Sequence, residues 1–182
     1  IESVFTRLSQ RLANPSRGGG PGDFRAWVME TPGVSVKDAW EYRWRNGIGT
    51  VGVSFTVSAG GVDGGPVPTP EQRQLVHDYV MTQAPMAMRE LVVVPLVGKP
   101  LVAHVRIAPF STTVQNAVRG SLADLLENAV PEKPVLLSAI QTAIATTAGL
   151  DNWHLDAPTA DVPAGKAELI VYDESYVTFD PV

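Results

Sequence analysis

The tightest constraint on this chain is the run over residues 18–56, GGGPGDFRAWVMETPGVSVKDAWEYRWRNGIGTVGVSFT, which packs a joint, a short helix and two strands between Gly and Pro breaks. Val51, Val53, Phe55 and Val57 alternate with Gly52, Ser54 and Thr56. That period of two gives a strand with one face toward a core. Upstream, Asp23 reads as a helix N-cap, Phe24, Trp27 and Val28 form one helical face, and Gly33 supplies a left-handed closing residue. Residues 36–44 alternate more roughly, through Val36, Ala39 or Trp40, Tyr42 and Trp44. The Arg45, Asn46, Gly47, Ile48, Gly49 link carries enough Gly to join the two strands as a hairpin.

The remaining segments follow the same logic. Val4, Phe5, Leu8 and Leu12 stand at near-helical spacing, predicting an N-terminal helix within residues 1–14, and the Gly-Pro run at 17–22 reads as a joint. Thr69, Pro70 and Gln72 form a capping-box helix start ahead of a stripe of Leu75, Val76, Tyr79 and Val80. Residues 86–97 and 101–107 read as extended, with a break at Gly98, Lys99 and Pro100. Ser111 or Thr112 caps a helix carrying Val114, Ala117, Val118, Leu122, Leu125 and Leu126 on one side, and a further helix spans 138–147. Gly149 and Leu150 then echo Gly33 and Val34, again leading into two strands at 153–157 and 167–172. The expectation is an α+β fold of two subdomains, 1–97 and 98–182, each a small, mainly antiparallel sheet covered on one face by helices.

The order of pieces in residues 18–56 resembles the baseplate J-like family of tailed phages and phage-derived injection machines. The likeness continues through GGPVPTPEQRQLVHDYVMTQAPMAMRELVVVPLVGKPLVAHVRI at 64–107, LLSAIQTAIATTAGLDNWHL at 136–155 and DVPAGKAELIVYDESYVTF at 161–179. It implies a structural wedge component of a Mu-like contractile-tail baseplate, not an enzyme. The implied partners are other wedge, hub and tail proteins and neighbouring copies in the ring. The implied location is the virion tail, after synthesis in the host cytoplasm. Beginning at Ile1 and shorter than the family norm, the chain is expected to be a C-terminal half that is a monomer or weak dimer in isolation.

The formal net charge of −5, without a basic run, gives nothing to displace counterions from nucleic-acid phosphates, so nucleic acid is not an expected partner. No apolar stretch approaches the roughly 18 residues of a membrane-spanning helix, and no membrane partner is expected. The chain has no Cys, which removes disulfides, thiolate metal sites and a Cys nucleophile.

His77, His104 and His154 are scattered, and neither a metal nor a cofactor is expected. Asp63 among Gly60, Gly61, Gly64 and Gly65 offers a cation a single carboxylate, too little for a site. The segment from Asp151 to Asp156 puts His154 and Asp156 on one strand face. This is the basis of an alternative reading as a small enzyme or ligand-binding domain, which requires a pocket. Trp40, Tyr42 and Trp44 share a period of two and read either as the core side of the sheet or, in part, as a protein contact. In the second reading Arg43, Trp44 and Arg45 are the interface residues, since Trp, Tyr and Arg are enriched at contact centres.

Overall fold

The computed structural model describes residues 18–85 and 88–182; the helix expected within 1–14 lies outside them. The chain divides into two units, Ile1–Pro95 and Leu96–Val182.

In the first unit α1 (Asp23–Met29) precedes the hairpin of β1 (Val36–Arg43) and β2 (Thr50–Val57), and α2 (Pro70–Gln83) leads to β3 (Glu90–Val93). β1 pairs antiparallel with β2, whereas β3 lies parallel to β2 on its other edge. α2 supplies the crossover that a parallel pair requires. It begins on the expected capping box: the Thr69 hydroxyl accepts from Gln72 N at 3.3 Å, and Thr69 N donates to Gln72 Oε1 at 2.8 Å. Val53, Phe55 and Val57 face a core closed by Phe24, Trp27 and Val28 of α1 and by Val76 and Val80 of α2. Of the expected α2 stripe, Val76 and Val80 are buried, Tyr79 is half-buried and Leu75 is exposed.

Two local expectations are corrected. Asp23 is not the N-cap: Gly22, at φ 88, occupies that position and Asp23 is the first helical residue. Its buried carboxylate instead accepts from Gly19 N and Gly20 N, both at 2.8 Å, and so holds the joint against the helix. The aromatic stripe does not form the helix-covered core. Trp40 and Tyr42 stand half-buried on the opposite sheet face, opposite Ser54 and Gly52, while Ala39 across from Phe55 is the buried β1 residue.

The second unit contains β4 (Val97–Pro100), β5 (Ala103–Ala108), α3 (Thr112–Glu127), α4 (Leu137–Ala145), β6 (Asn152–Ala157), β7 (Glu168–Val171) and β8 (Val177–Pro181). Ser111 is the α3 cap, accepting from Val114 N. Val114, Val118, Leu122 and Leu126, four residues apart, form the buried α3 face. They pack with Ile140 and Ile144 of α4 onto Ala103, Val105 and Ile107, the inward positions of β5.

The α+β reading holds, with sheets that are mixed. β5 lies between antiparallel β6 and parallel β8, and β4 pairs parallel with β7. The echo of the first unit after Gly149 is therefore sequential only. β6 and β7 do not form a hairpin, because each pairs with a strand that precedes α3. Val97–Pro100, at the break expected between subdomains, is a strand of the second unit.

Candidate protein interface

The β1–β2 turn brings Arg43, Trp44 and Arg45 together but aims them in different directions. β1 ends at Arg43, and Trp44 adopts φ 54, a left-handed conformation uncommon for an aromatic residue. This breaks the period of two at the last position of the stripe. The turn closes through Trp44 N to Thr50 O at 2.9 Å and Gly47 N to Trp44 O at 3.2 Å. The nearly buried Thr50 locks it, its hydroxyl accepting from Asn46 N at 3.0 Å and donating to Gly47 O at 2.7 Å. Trp44 and Ile48 are left 68% and 85% exposed at the tip.

Arg45 turns back over the sheet face that carries Tyr42. Its guanidinium lies 4.7 Å from the Tyr42 ring centre, a cation–π distance. Its Cβ and Cγ would stand 3.0 Å from a Cβ placed on Gly52, so the small residue in β2 makes room for it. Tyr42 Oη in turn shares a 2.9 Å hydrogen bond with Ser54 Oγ. Arg43 points the other way: its Nε donates to Glu41 Oε1 at 3.1 Å, and Glu41 Oε2 accepts from Gly22 N at 3.0 Å. This chain of contacts ties the hairpin to the loop before α1.

Between that loop, the turn and the residues around the start of β3 lies a groove of about 230 Å³ lined by Phe24, Arg43, Trp44, Val51, Pro85 and Met88, among others. Gly19 also lines it, at φ 97, and a Cβ there would meet Pro85 Cγ at 2.8 Å. Only glycine combines this conformation with this approach. The groove is not legible in the sequence. Phe24 signalled a core helix, and nothing linked Gly19, Pro85 and Met88 to the hairpin.

The other polar cluster lies on the outer face of β6, β5 and β8. His154 Nε2 does stand 3.4 Å from Asp156 Oδ1, as the strand spacing required. Asp156 is already held by Arg106, whose Nε and Nη2 donate to its two oxygens at 2.9 Å each. Those hydrogen bonds hold the Asp156 carboxyl below the usual carboxylate range, and Asp156 raises the Arg106 guanidinium in return. His104 Nε2 pairs with Asp180 Oδ2 at 2.9 Å, while its Nδ1 lies 3.8 Å from Asp156 Oδ2. A carboxylate with both oxygens engaged by one guanidinium, on a partly exposed sheet face, is built as an ion pair and not as a general base. His77 lies on α2 beside Asp78, far in sequence from this cluster. Among the described residues no group of three or more His, Asp or Glu is arranged to hold a metal ion.

The sign of the Asp156 shift sets a pH dependence. A carboxyl whose folded pKa lies below its unfolded value stabilises the fold fully above about pH 4, and the contribution fades as pH falls through the folded value. Stability of the second unit should therefore decline on the acid side. Urea midpoints followed by far-ultraviolet circular dichroism at successive pH values should show a shallower acid decline for Arg106→Gln than for the native chain. Identical slopes would show that the pair does not contribute.

Residues 16–95 match the Baseplate J-like central domain family. The chain is similar to Putative protein JayE of Escherichia coli (strain K12), 29% identical over 172 residues that cover 94% of this chain and 64% of that protein. It is also similar to Mu-like prophage FluMu protein gp47 of Haemophilus influenzae, 32% identical over 171 residues that cover 89% of this chain and 47% of that protein. The chain thus spans about two thirds and about half of the lengths of these relatives.

Proposed function

We propose, from the match of residues 16–95 to the Baseplate J-like central domain family, that the chain is a structural component of a phage or prophage contractile-tail baseplate, acting through protein–protein contacts in the wedge or ring. The observation that carries this reading is the family match together with similarity along most of the chain to a Mu-like prophage protein. Its partners on this reading are other tail and baseplate proteins and neighbouring copies in the ring. Its place is the virion tail after synthesis in the host cytoplasm, and the isolated chain is a monomer or weak dimer.

The hairpin tip is the proposed contact region. Arg43 and Trp44 meet the partner, and Arg45 holds the turn from behind through Tyr42. The role is non-enzymatic on this reading. The ion-paired state of Asp156 gives the alternative of an enzyme using residues 151–156 no support.

An in-frame deletion of the gene in a producing strain tests the proposal. Electron microscopy of induced lysates should show particles lacking complete baseplates, and the wild-type gene supplied in trans should restore them. Complete baseplates in the deletion strain would overturn it.

A further inference from the structure

We infer that the groove beside the β1–β2 turn receives an apolar anchor side chain from an acidic segment of another baseplate protein. The inference rests on the baseplate reading and adds to it the chemistry of the partner.

Size comes first. At about 230 Å³ the groove falls below the roughly 300–1,000 Å³ of small-molecule sites and is of a scale to take a protein side chain. Its lining is chiefly apolar, with Phe24, Val51, Pro85 and Met88 beside Trp44. Trp44 and Ile48 add exposed apolar surface next to it, the combination in which an anchor residue becomes buried at the centre of a contact.

Charge selects the partner. Arg43 lines the groove and is exposed. Arg89 is also exposed and adjoins it, its N donating to the groove residue Gly49 at 3.0 Å and its Cβ within 3.3 Å of a Cβ placed there. Asp23 is buried against the amides of Gly19 and Gly20, whereas Glu41 is the ion-pair partner of Arg43 itself and accepts from Gly22 N with its other oxygen, so the rim's charge beyond that pair is that of Arg89. Glu90 lies beside Leu91, whose side chain enters the core, so strand alternation sends Glu90 to the other sheet face. A basic rim around an apolar floor complements an apolar side chain flanked by carboxylates.

The groove is also pre-built. Asp23 fixes the loop on one side and Thr50 fixes the turn on the other, so little ordering accompanies binding.

The test places the photoreactive residue p-benzoylphenylalanine at position 88, and separately at position 44, of the full-length protein in cells producing particles. Particles are purified and irradiated, and the joined peptides are identified by mass spectrometry. The expected product links both positions to one segment of a different tail protein, with Asp or Glu beside the joined residue. Arg43→Glu with Arg89→Glu should reduce that product at least about tenfold, while Lys133→Glu with Lys166→Glu leaves it unchanged. A product within this chain or with a second copy overturns the inference. So does a product indifferent to reversal of the rim charges, or no product in particles that contain the chain; these outcomes leave the baseplate reading standing. Particles that lack the chain remove both.

Discussion

Replacing Phe55 with Ala should lower the stability of the first unit by about 3–5 kcal/mol, the usual cost of deleting a fully buried aromatic side chain. Phe55 has no exposed surface and lies opposite Ala39 in β1, beneath a core formed by α1 and α2. Ala39 is too small to fill the space, and the flanking Val53 and Val57 are held by strand pairing, so a cavity remains. Small domains are stable by about 5–15 kcal/mol in total, so the loss is a large fraction of the whole. Three of the four tryptophans, Trp27, Trp40 and Trp44, lie in this unit, which makes fluorescence-monitored urea unfolding a sensitive measure. Val102→Ala, at an exposed position, should stay within about 0.5 kcal/mol of the native chain. Because each unit has its own cluster of buried residues, the transition of residues 96–182 should be unchanged in the Phe55 variant. A single transition displaced as a whole would show that the two units unfold together.

Trp44→Asn should reduce baseplate assembly by roughly 30-fold or more, as expected when a central aromatic anchor worth about 2 kcal/mol is lost. Asn tolerates a left-handed φ better than Trp does, so this substitution eases the backbone at position 44 while removing the ring. Failure to assemble then cannot be charged to misfolding, and an unchanged urea midpoint confirms it. Arg45→Ala serves as the contrast. It removes the stack on Tyr42 and should cost stability, about 0.5–1 kcal/mol, more than assembly. Normal assembly of the Trp44 variant would place the contact elsewhere on the protein.

What could be read from the residues was set by local rules. The alternation of Val53, Phe55 and Val57 gave β2, the Thr69 and Gln72 pair gave the start of α2, and the fourfold spacing from Val114 to Leu126 gave α3, because each signal is complete within a few residues. Strand partners were not legible in the same way. β5 takes neighbours from residues 152–157 and 177–181, a choice made by the packing of α3 and α4 and not by any adjacent motif. Trp44 misled for a local reason: its left-handed backbone is forced by the turn that follows, at a residue type that does not announce it. The groove leaves no signal in the sequence because its lining comes from several separate stretches of chain, each of which looks ordinary alone.

The pairing of β5 with β8 imposes an order in time. Among the described residues, the three strands of the first unit are complete once residue 93 has been made. In the second, β4 and β5 are synthesised early yet must wait for β7 and β8, residues 168–181, before their parallel edges are covered. On the ribosome the first unit can close while the apolar faces of α3 and α4 are still being delivered to an unfinished sheet. That interval, and not the folded state, is when this protein is most open to chaperones and to aggregation.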